Sequence, residues 1–425
     1  MADSWQANEL VKAKGRKGDR AQSCFCVVDP GTTTLRVLIV EVQDRQATVW
    51  GWAGVPAASG SEPNVKSLAF ACEGAVSLAE EMAQDRAGRW LMADHMVVGL
   101  PTSQLRGWAP PVAHRRSQPK RPIEEHELAA LLGRALRLAV NRIHEPQAQA
   151  GTADSGSPAW RLVDSAIVAI SVDGRRVTDP VGFKGMDFST TVFTALARSE
   201  TIDSWCEVAR RLEFSALTLA VAPLALTAGL AEPRLVLIDV GGKTTDLICC
   251  QTSRPVAIDS LSGGGVVLSR TLVQKWGVAP DKAEQLKRAY GGGGLTGEAV
   301  AQVKQALAPA VQAWLANVET VLARFNQEGP LPHRLVLLGG GSVVPDVAEA
   351  LRTLAWSQRL HFARYPEVGH LRPTDIPGVV NRTDLGRGEG DVTALALAAW
   401  TVRQTEPPDR PARVLSGLCR GEQGS

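Results

Sequence analysis

Apolar and polar positions divide the chain into two passages of the same design. The first opens at Ser23. Cys24-Phe25-Cys26-Val27-Val28 has the unbroken apolar character of a buried strand, and Asp29-Pro30-Gly31-Thr32-Thr33 is a turn. Leu35 to Val42 and Gln46 to Trp52 then complete a three-stranded meander. Helical spacing follows over Val65 to Gln84, and Met96 to Leu100 predicts another strand. At Arg234 the pattern returns: Leu235 to Ile238 is a strand, Asp239-Val240-Gly241-Gly242-Lys243-Thr244 a turn, Asp246 to Gln251 a second strand and Val256 to Leu261 a third. The repeat predicts an internal duplication, one copy per lobe.

Between the copies, Trp108 to Pro122 is polar, basic and Pro-rich and reads as a loop or domain seam. Glu124 to Ile143 predicts an amphipathic helix, with Leu128, Leu131, Leu132, Ala135, Leu136 and Val140 on one face. Gln147 to Pro158 predicts a flexible loop. Leu162 to Val172 and Ser189 to Ala195 predict strands, with Asp173-Gly174 as a hairpin turn. Helices are expected at Thr201 to Leu212 and near Leu224 to Leu230. After the second meander helices dominate up to Phe325, broken by the glycine run Gly291 to Gly294. A strand at Leu335 to Leu338 feeds Gly339-Gly340-Gly341-Ser342, and the last strong helix spans Val392 to Val402. The first 22 residues are expected to form a mobile basic arm, and Glu406 to Ser425 a disordered tail.

Composition adds mostly exclusions. With 425 residues and 44% hydrophobic content the chain suits two or three domains with sizeable cores. Its 46 basic and 44 acidic residues give no reason to expect a nucleic-acid partner. The seven cysteines form no CxxC pair and no Cys/His set with metal-ligand spacing, which suits buried free thiols in a reducing compartment. No apolar run approaches the ~20 residues of a membrane span, so a cytoplasmic protein is expected. The eleven tryptophans are scattered and read as core or interface fillers.

The candidate chemistry lies in the turns. A tight turn with Asp before it and Gly and Thr within it can offer backbone N–H groups and hydroxyls to phosphate oxygens. The acid at the strand end is placed to hold Mg²⁺ through water, since Mg²⁺ keeps much of its hydration. One such turn is weak evidence. Two copies, facing each other across a cleft, can pinch a phosphate chain from both sides. The triglycine turn Gly339 to Gly341 either lets backbone approach a flat ring closely or is a plain strand–helix turn; its position after the second phosphate turn favours the adenosine.

In this order the three turns resemble the phosphate-1, phosphate-2 and adenosine motifs of the actin/Hsp70/sugar-kinase superfamily. Ser262-Gly263-Gly264-Gly265 and the Ala283-Glu284-Gln285-Leu286-Lys287 helix are similar to the bacterial FtsA and MreB branches. Val172-Asp173-Gly174 leading to Asp179-Pro180-Val181-Gly182-Phe183-Lys184-Gly185 resembles FtsA, which carries such a passage at the end of its inserted 1C subdomain. The resemblance implies an α/β, duplicated ribonuclease-H-like (actin-like) two-lobe fold with an FtsA-type 1C insert. Expected boundaries are 23–100 and 187–230 for lobe I, 101–186 for the insert, 231–266 and 331–405 for the lobe II core and 267–330 for a helical subdomain. It implies ATP bound by Gly31, Thr32, Thr33, Thr34, Gly241, Gly242, Lys243, Thr244, Thr245, Gly263, Gly264, Gly339, Gly340, Gly341 and Ser342, with Mg²⁺ at Asp29 and Asp239. Glu284 and Lys287 are either nucleoside contacts or a solvated i,i+3 ion pair.

Two departures bear on activity. Where FtsA and MreB place a water-orienting glutamate, this chain has Ala222, so at most slow ATP hydrolysis is expected. Lys243 replaces the third glycine of the second turn and either reaches a phosphate or projects into solvent. The resemblance also implies a C-terminal amphipathic membrane helix, for which the tail offers only Val414, Leu415, Leu418 and Cys419. Direct membrane contact is therefore not expected, and any place at the inner membrane would come through a partner. Three functions remain open: an FtsA-like filament or nucleotide-gated scaffold of cell division, with self and an FtsZ-type tail as partners; a PilM-like adaptor that binds a membrane-protein peptide; and a small-molecule kinase with Asp246 as its carboxylate.

Overall fold

The structure is a computed structural model and describes residues 23–57, 65–144 and 159–423. The expected N-terminal arm and the whole 147–158 loop lie outside the described residues. Lobe I opens with the antiparallel meander β1 (Ser23–Pro30), β2 (Thr34–Gln43) and β3 (Gln46–Pro56). Helix α1 (Val65–Ala87) follows, then β4 (His95–Leu100), parallel to β1. An insert comprises β5 (Leu105–Trp108), β6 (Pro111–Arg115), α2 (Glu125–His144), β7 (Trp160–Val172), β8 (Arg175–Arg176) and β9 (Asp187–Arg198). The chain returns to lobe I with α3 (Ser199–Arg211), β10 (Ala216–Val221) and α4 (Ala222–Thr227).

Lobe II repeats the plan. Its meander is β11 (Leu235–Val240), β12 (Thr244–Gln251) and β13 (Arg254–Ser262), followed by α5 (Gly265–Trp276), α6 (Pro280–Gly291) and α7 (Gly297–Asn326). Then come β14 (Arg334–Leu338), α8 (Pro345–Arg352), α9 (Leu354–Ser357), β15 (Glu367–His370) and β16 (Val379–Asn381). The chain finishes with α10 (Val392–Trp400), α11 (Val402–Thr405) and α12 (Arg410–Gln423).

The duplication extends to strand order, which runs β3-β2-β1-β4-β10 in lobe I and β13-β12-β11-β14-β15 in lobe II. It extends to turn type as well. Asp44 and Arg45, between β2 and β3, and Thr252 and Ser253, between β12 and β13, all adopt φ between 49° and 65°. Paired left-handed residues make the two-residue hairpin whose twist matches its strands. In lobe II that hairpin tip is tied down, because Thr252 donates to the Val168 carbonyl and Ser253 to that of Leu230.

The lobes share a core. Helix α10 is apolar nearly all round, so it is stable only when covered on most sides. It packs on β1, β2, β3 and α4. The same buried cluster contains Leu235, Leu237, Ile248 and Leu338 of the second sheet. On the other face of the first sheet, α1 lies so close to β3 that a Cβ on Gly51 would fall 1.9 Å from the Ala79 carbonyl oxygen.

Three expectations need correction. The insert runs past residue 186, because β9 pairs with β5, β6 and β7 and not with lobe I. Within the supposed loop 108–122, β6 completes its hydrogen bonds along β9, a partner some 75 residues away that local composition does not reveal. The tail is not disordered over its described length: α12 lies on α2 and β7, with Leu415 buried and Val414, Leu418 and Cys419 packed beside it. Those four apolar residues suffice because the insert supplies the other half of the core.

The Asp173-to-Gly185 passage is a structural knot. Asp173 accepts hydrogen bonds from the N–H groups of Met186 and Asp187, both 2.8 Å, and a Cβ on Gly185 would lie 2.4 Å from Val172. Beside it the buried guanidinium of Arg116 donates to Glu127 and to the carbonyls of Arg121, Pro122 and Gly185.

Replacing Gly51 by Ala should push α1 off β3 and cost about 1–3 kcal/mol, as overpacking does. A urea melt monitored by circular dichroism checks this; an unchanged midpoint would show that the helix can shift freely.

Candidate functional site

Asp29 and Asp239 occupy equivalent places at the ends of β1 and β11, opposite Arg36 and Asp246 across their hairpins. The lobes bring these ends together, and around them lie the charged groups of the cleft floor. Arg36 donates from Nε to Asp391 at 2.8 Å and reaches Asp29 at 3.5 Å. Thr393, on α10, donates to Asp239 at 3.2 Å. Asp246 is held by Ser260 Oγ at 2.6 Å and by the backbone N–H of Thr102, on the lobe I side, at 3.1 Å. Both of its oxygens are therefore engaged.

Arg36 is thus the one guanidinium shared among Asp29, Asp239 and Asp391, and Asp246 adds its charge beside Asp239. Burial pushes Asp29 up to about 6, with Arg36 opposing and Asp239 and Asp391 adding to the rise. Burial and neighbouring Asp246 push Asp239 up to about 7. Asp246 rises to about 6 through burial, against its hydrogen bonds. A floor with this excess of negative charge is suited to a further cation.

The two threonine-glycine turns meet. Lys243 N–H donates to Thr32 Oγ1 at 2.9 Å, and a Cβ on Gly242 would fall 2.3 Å from Thr33 Cγ2. Gly31 N–H donates to the Asp29 carbonyl and Gly241 N–H to those of Asp239 and Thr244. The N–H groups of Thr32, Thr33 and Gly242 have no acceptor among the described residues, so they are available to an anion. The Lys243 side chain is exposed. Thr34 and Thr244 open β2 and β12, at equivalent places after the two turns. Thr245 is buried, donates to the Gly263 carbonyl at 2.6 Å and accepts from the Trp314 indole at 3.0 Å. Gly264 lies against the carbonyls of Gly241, Gly242 and Thr244, where a side chain has no room. Thr245, Gly263 and Gly264 therefore brace the second turn from behind.

On the nucleoside side, Lys287 and Glu284 form an ion pair at 2.7 Å. Lys287 is buried and also donates to the Gly265 carbonyl at 3.1 Å, while Glu284 accepts from Ser269 at 2.6 Å and Arg288 at 3.0 Å. The pair ties α6 to α5. In the triglycine turn, Gly339 has φ +86° and a Cβ there would strike Asp239 Oδ1; Gly341 is pressed against Val240. Ser342 is buried and donates to the Gly339 carbonyl at 2.7 Å. Gly340 alone of the three is exposed with open space before it. Ala222 is buried at the start of α4.

Arg36, Asp391, Thr393 and Thr102 escaped the sequence reading. Only Arg36 leaves a trace there, as the single charge at the start of an apolar strand; its partner Asp391 is 355 residues away.

These residues fit a magnesium nucleotide: free N–H groups for phosphate, an anionic floor, and an open glycine face. No cluster of three or more metal-ligating side chains occurs among the described residues.

No protein-family model matches the chain. It is 22% identical over 362 residues to the cell division protein FtsA of Neisseria meningitidis serogroup B, spanning 78% of this chain and 81% of that protein. The PilM-PilN type IV pilus biogenesis complex superposes with a TM-score of 0.59 at 17% identity, covering 92% of this chain and all of that one. MreB 5 of Spiroplasma citri bound to AMPPNP covers 90% of this chain and 98% of its own at 10% identity and a TM-score of 0.42. The chain has the α/β, two-lobed actin-like fold and is a distant homologue of FtsA.

The raised pKa of Asp239 makes stability depend on pH. Its carboxyl binds a proton more tightly folded than unfolded, so it costs stability as pH rises from about 4 to about 7. Asp239→Asn should remove that loss and raise stability at pH 8 by on the order of 2 kcal/mol, with no gain below pH 4. Thermal melts without magnesium or nucleotide test this; equal midpoints at pH 8 would show that the carboxylate is not desolvated.

Proposed function

We propose that this chain, an actin-like fold distantly related to FtsA, binds ATP·Mg²⁺ between its lobes and uses it as a conformational clamp in a bacterial scaffold or adaptor. The observation that carries this is the meeting of the two turns, with Lys243 N–H on Thr32 and Asp29 and Asp239 beneath them. Thr32, Thr33 and Gly242 would donate backbone N–H groups to the phosphates, and Asp29 and Asp239 would hold magnesium through water. Gly340 would lie against the adenosine, with Glu284 and Lys287 fixing the wall of that pocket. Bound magnesium would neutralise phosphate charge and relieve the repulsion among the floor carboxylates.

Hydrolysis should be slow. Ala222 has no group to orient water. Asp246, the other acid near the turns, spends both oxygens on Ser260 and Thr102, which also argues against the kinase reading.

The scaffold reading takes self-association and an FtsZ-type tail as partners, by analogy with FtsA. A PilM-like adaptor of a pilus or secretion platform, taking a peptide from a membrane protein, is the second reading. One observation favours it: α12 lays its apolar residues on the insert. No helix among the described residues is long and apolar enough to cross a membrane.

Calorimetry with ATP and magnesium should give saturable binding that Gly242→Val abolishes, since the valine would collide with Thr33. Single-turnover phosphate release should stay near background. Robust magnesium-dependent release that survives purification would refute the clamp, and absence of any nucleotide uptake would refute the site.

A further inference from the structure

The insert is more basic than the rest of the chain, with thirteen Lys and Arg against nine Asp and Glu over residues 101–198. At one corner the imbalance is concentrated. Arg106 on β5 and Arg198, the last residue of β9, flank the indole of Trp160, the first residue of β7. Their guanidinium carbons lie 4.4 and 5.9 Å from its ring centroid. Strand register makes this arrangement, because Trp160 pairs with Arg198, and Arg106 pairs with Leu196 two residues before it.

Neither arginine has a carboxylate within ion-pairing distance among the described residues. Arg106 donates to the Ile143 carbonyl at 3.1 Å, a neutral acceptor. By contrast, neighbouring Arg161 is neutralised by Asp203 at 2.7 Å. Arg198 immediately precedes α3, a helix of thirteen residues whose N-terminal N–H groups add partial positive charge to the same corner. Exposed Glu200, in that first turn, is the acid nearest in sequence and opposes it only in part. Burial and the charge of Arg198 both weaken proton binding at Arg106, as expected where cations crowd without a counter-ion.

Guanidinium groups crowded with no carboxylate partner among the described residues cost stability that an anion would return, since Arg–carboxylate bonds are charge-assisted and bidentate. The partly exposed indole adds apolar surface beside them for the methylene stems of the same ligand. We propose that this corner binds the acidic side chains of an extended partner peptide, with Arg106 and Arg198 taking carboxylates and Trp160 as the platform. Recession favours a peptide over a flat anionic bilayer. Arg106 and Trp160 are only partly exposed, and Arg106 is tied to the C-terminal end of α2, so a narrow chain reaches them more readily than a flat surface does. The inference is independent of nucleotide binding and is tested without nucleotide.

Titrating a fluorescein-labelled, glutamate-rich peptide of about ten residues with the full chain should give a saturable rise in anisotropy that weakens with added salt. Arg106→Gln with Arg198→Gln should weaken binding about tenfold or more. Arg198→Gln alone keeps the Arg106–Ile143 contact and guards against a folding artefact; it should weaken binding several-fold, and Trp160→Phe should weaken it less. The proposal falls if both arginine variants bind as wild type does. It also falls if a lysine-rich peptide binds equally, or if only phosphatidylglycerol vesicles are retained.

Discussion

Removing carboxylates from water is the constraint around which this molecule is arranged. Asp29, Asp239 and Asp246 sit at strand ends where two sheets converge, and each is held in a way that makes its charge tolerable without cancelling it. Arg36 shares its guanidinium between Asp29 and Asp391. Thr393 gives Asp239 one hydroxyl, and Ser260 and Thr102 satisfy Asp246. A fully neutralised floor would be more stable and would have no call on a cation. The residual imbalance is the feature on which the proposed metal–phosphate site rests.

The glycines follow from the same convergence. Gly242 lets the second turn touch the first, and Gly264 lets α5 start directly behind it. Gly339 leaves Asp239 its place. None of these positions accepts a side chain, so the approach of the two lobes is fixed by backbone volume as much as by charge. The bracing is continued by Thr245, whose hydroxyl links the Gly263 carbonyl to the Trp314 indole on α7. The floor is thereby connected to the longest helix of lobe II.

What could be read from the sequence was what is local. Strand runs, turn residues and the duplicated Asp-X-Gly-polar-Thr passage depend on near neighbours, and they lie where the pattern predicts them. The hairpin at Asp173-Gly174 was legible for the same reason, with both residues left-handed. What could not be read was what depends on distant surfaces. Strand β6 needs β9, helix α12 needs the apolar faces of α2 and β7, and Arg36 needs Asp391. The tail is the clearest case. Its composition is that of a chain unable to form a core, and by itself it could not; four apolar residues become enough only on a surface built some 280 residues earlier. The Glu284–Lys287 spacing was legible as a pair, but nothing in that spacing signals the burial of Lys287 against Gly265.

The cleft and the insert are physically joined. The second sheet does not stop at lobe II: β13 pairs with β5 at Ala257 and Trp108, joining lobe II to the insert's strands in one ten-stranded sheet. Two further ties cross the same seam, from Thr102 to Asp246 and from Thr252 to Val168. A movement of lobe II that parts Lys243 from Thr32 must therefore either break these ties or carry β5 and β7 along. A single cross-strand bridge and two hydrogen bonds are modest in energy, each about 1 kcal/mol net. Their geometry nevertheless makes the insert, and not the far face of lobe I, the part of the molecule placed to respond to the cleft. Because β5 also carries Arg106, the basic corner around Trp160 lies on the strand that would move.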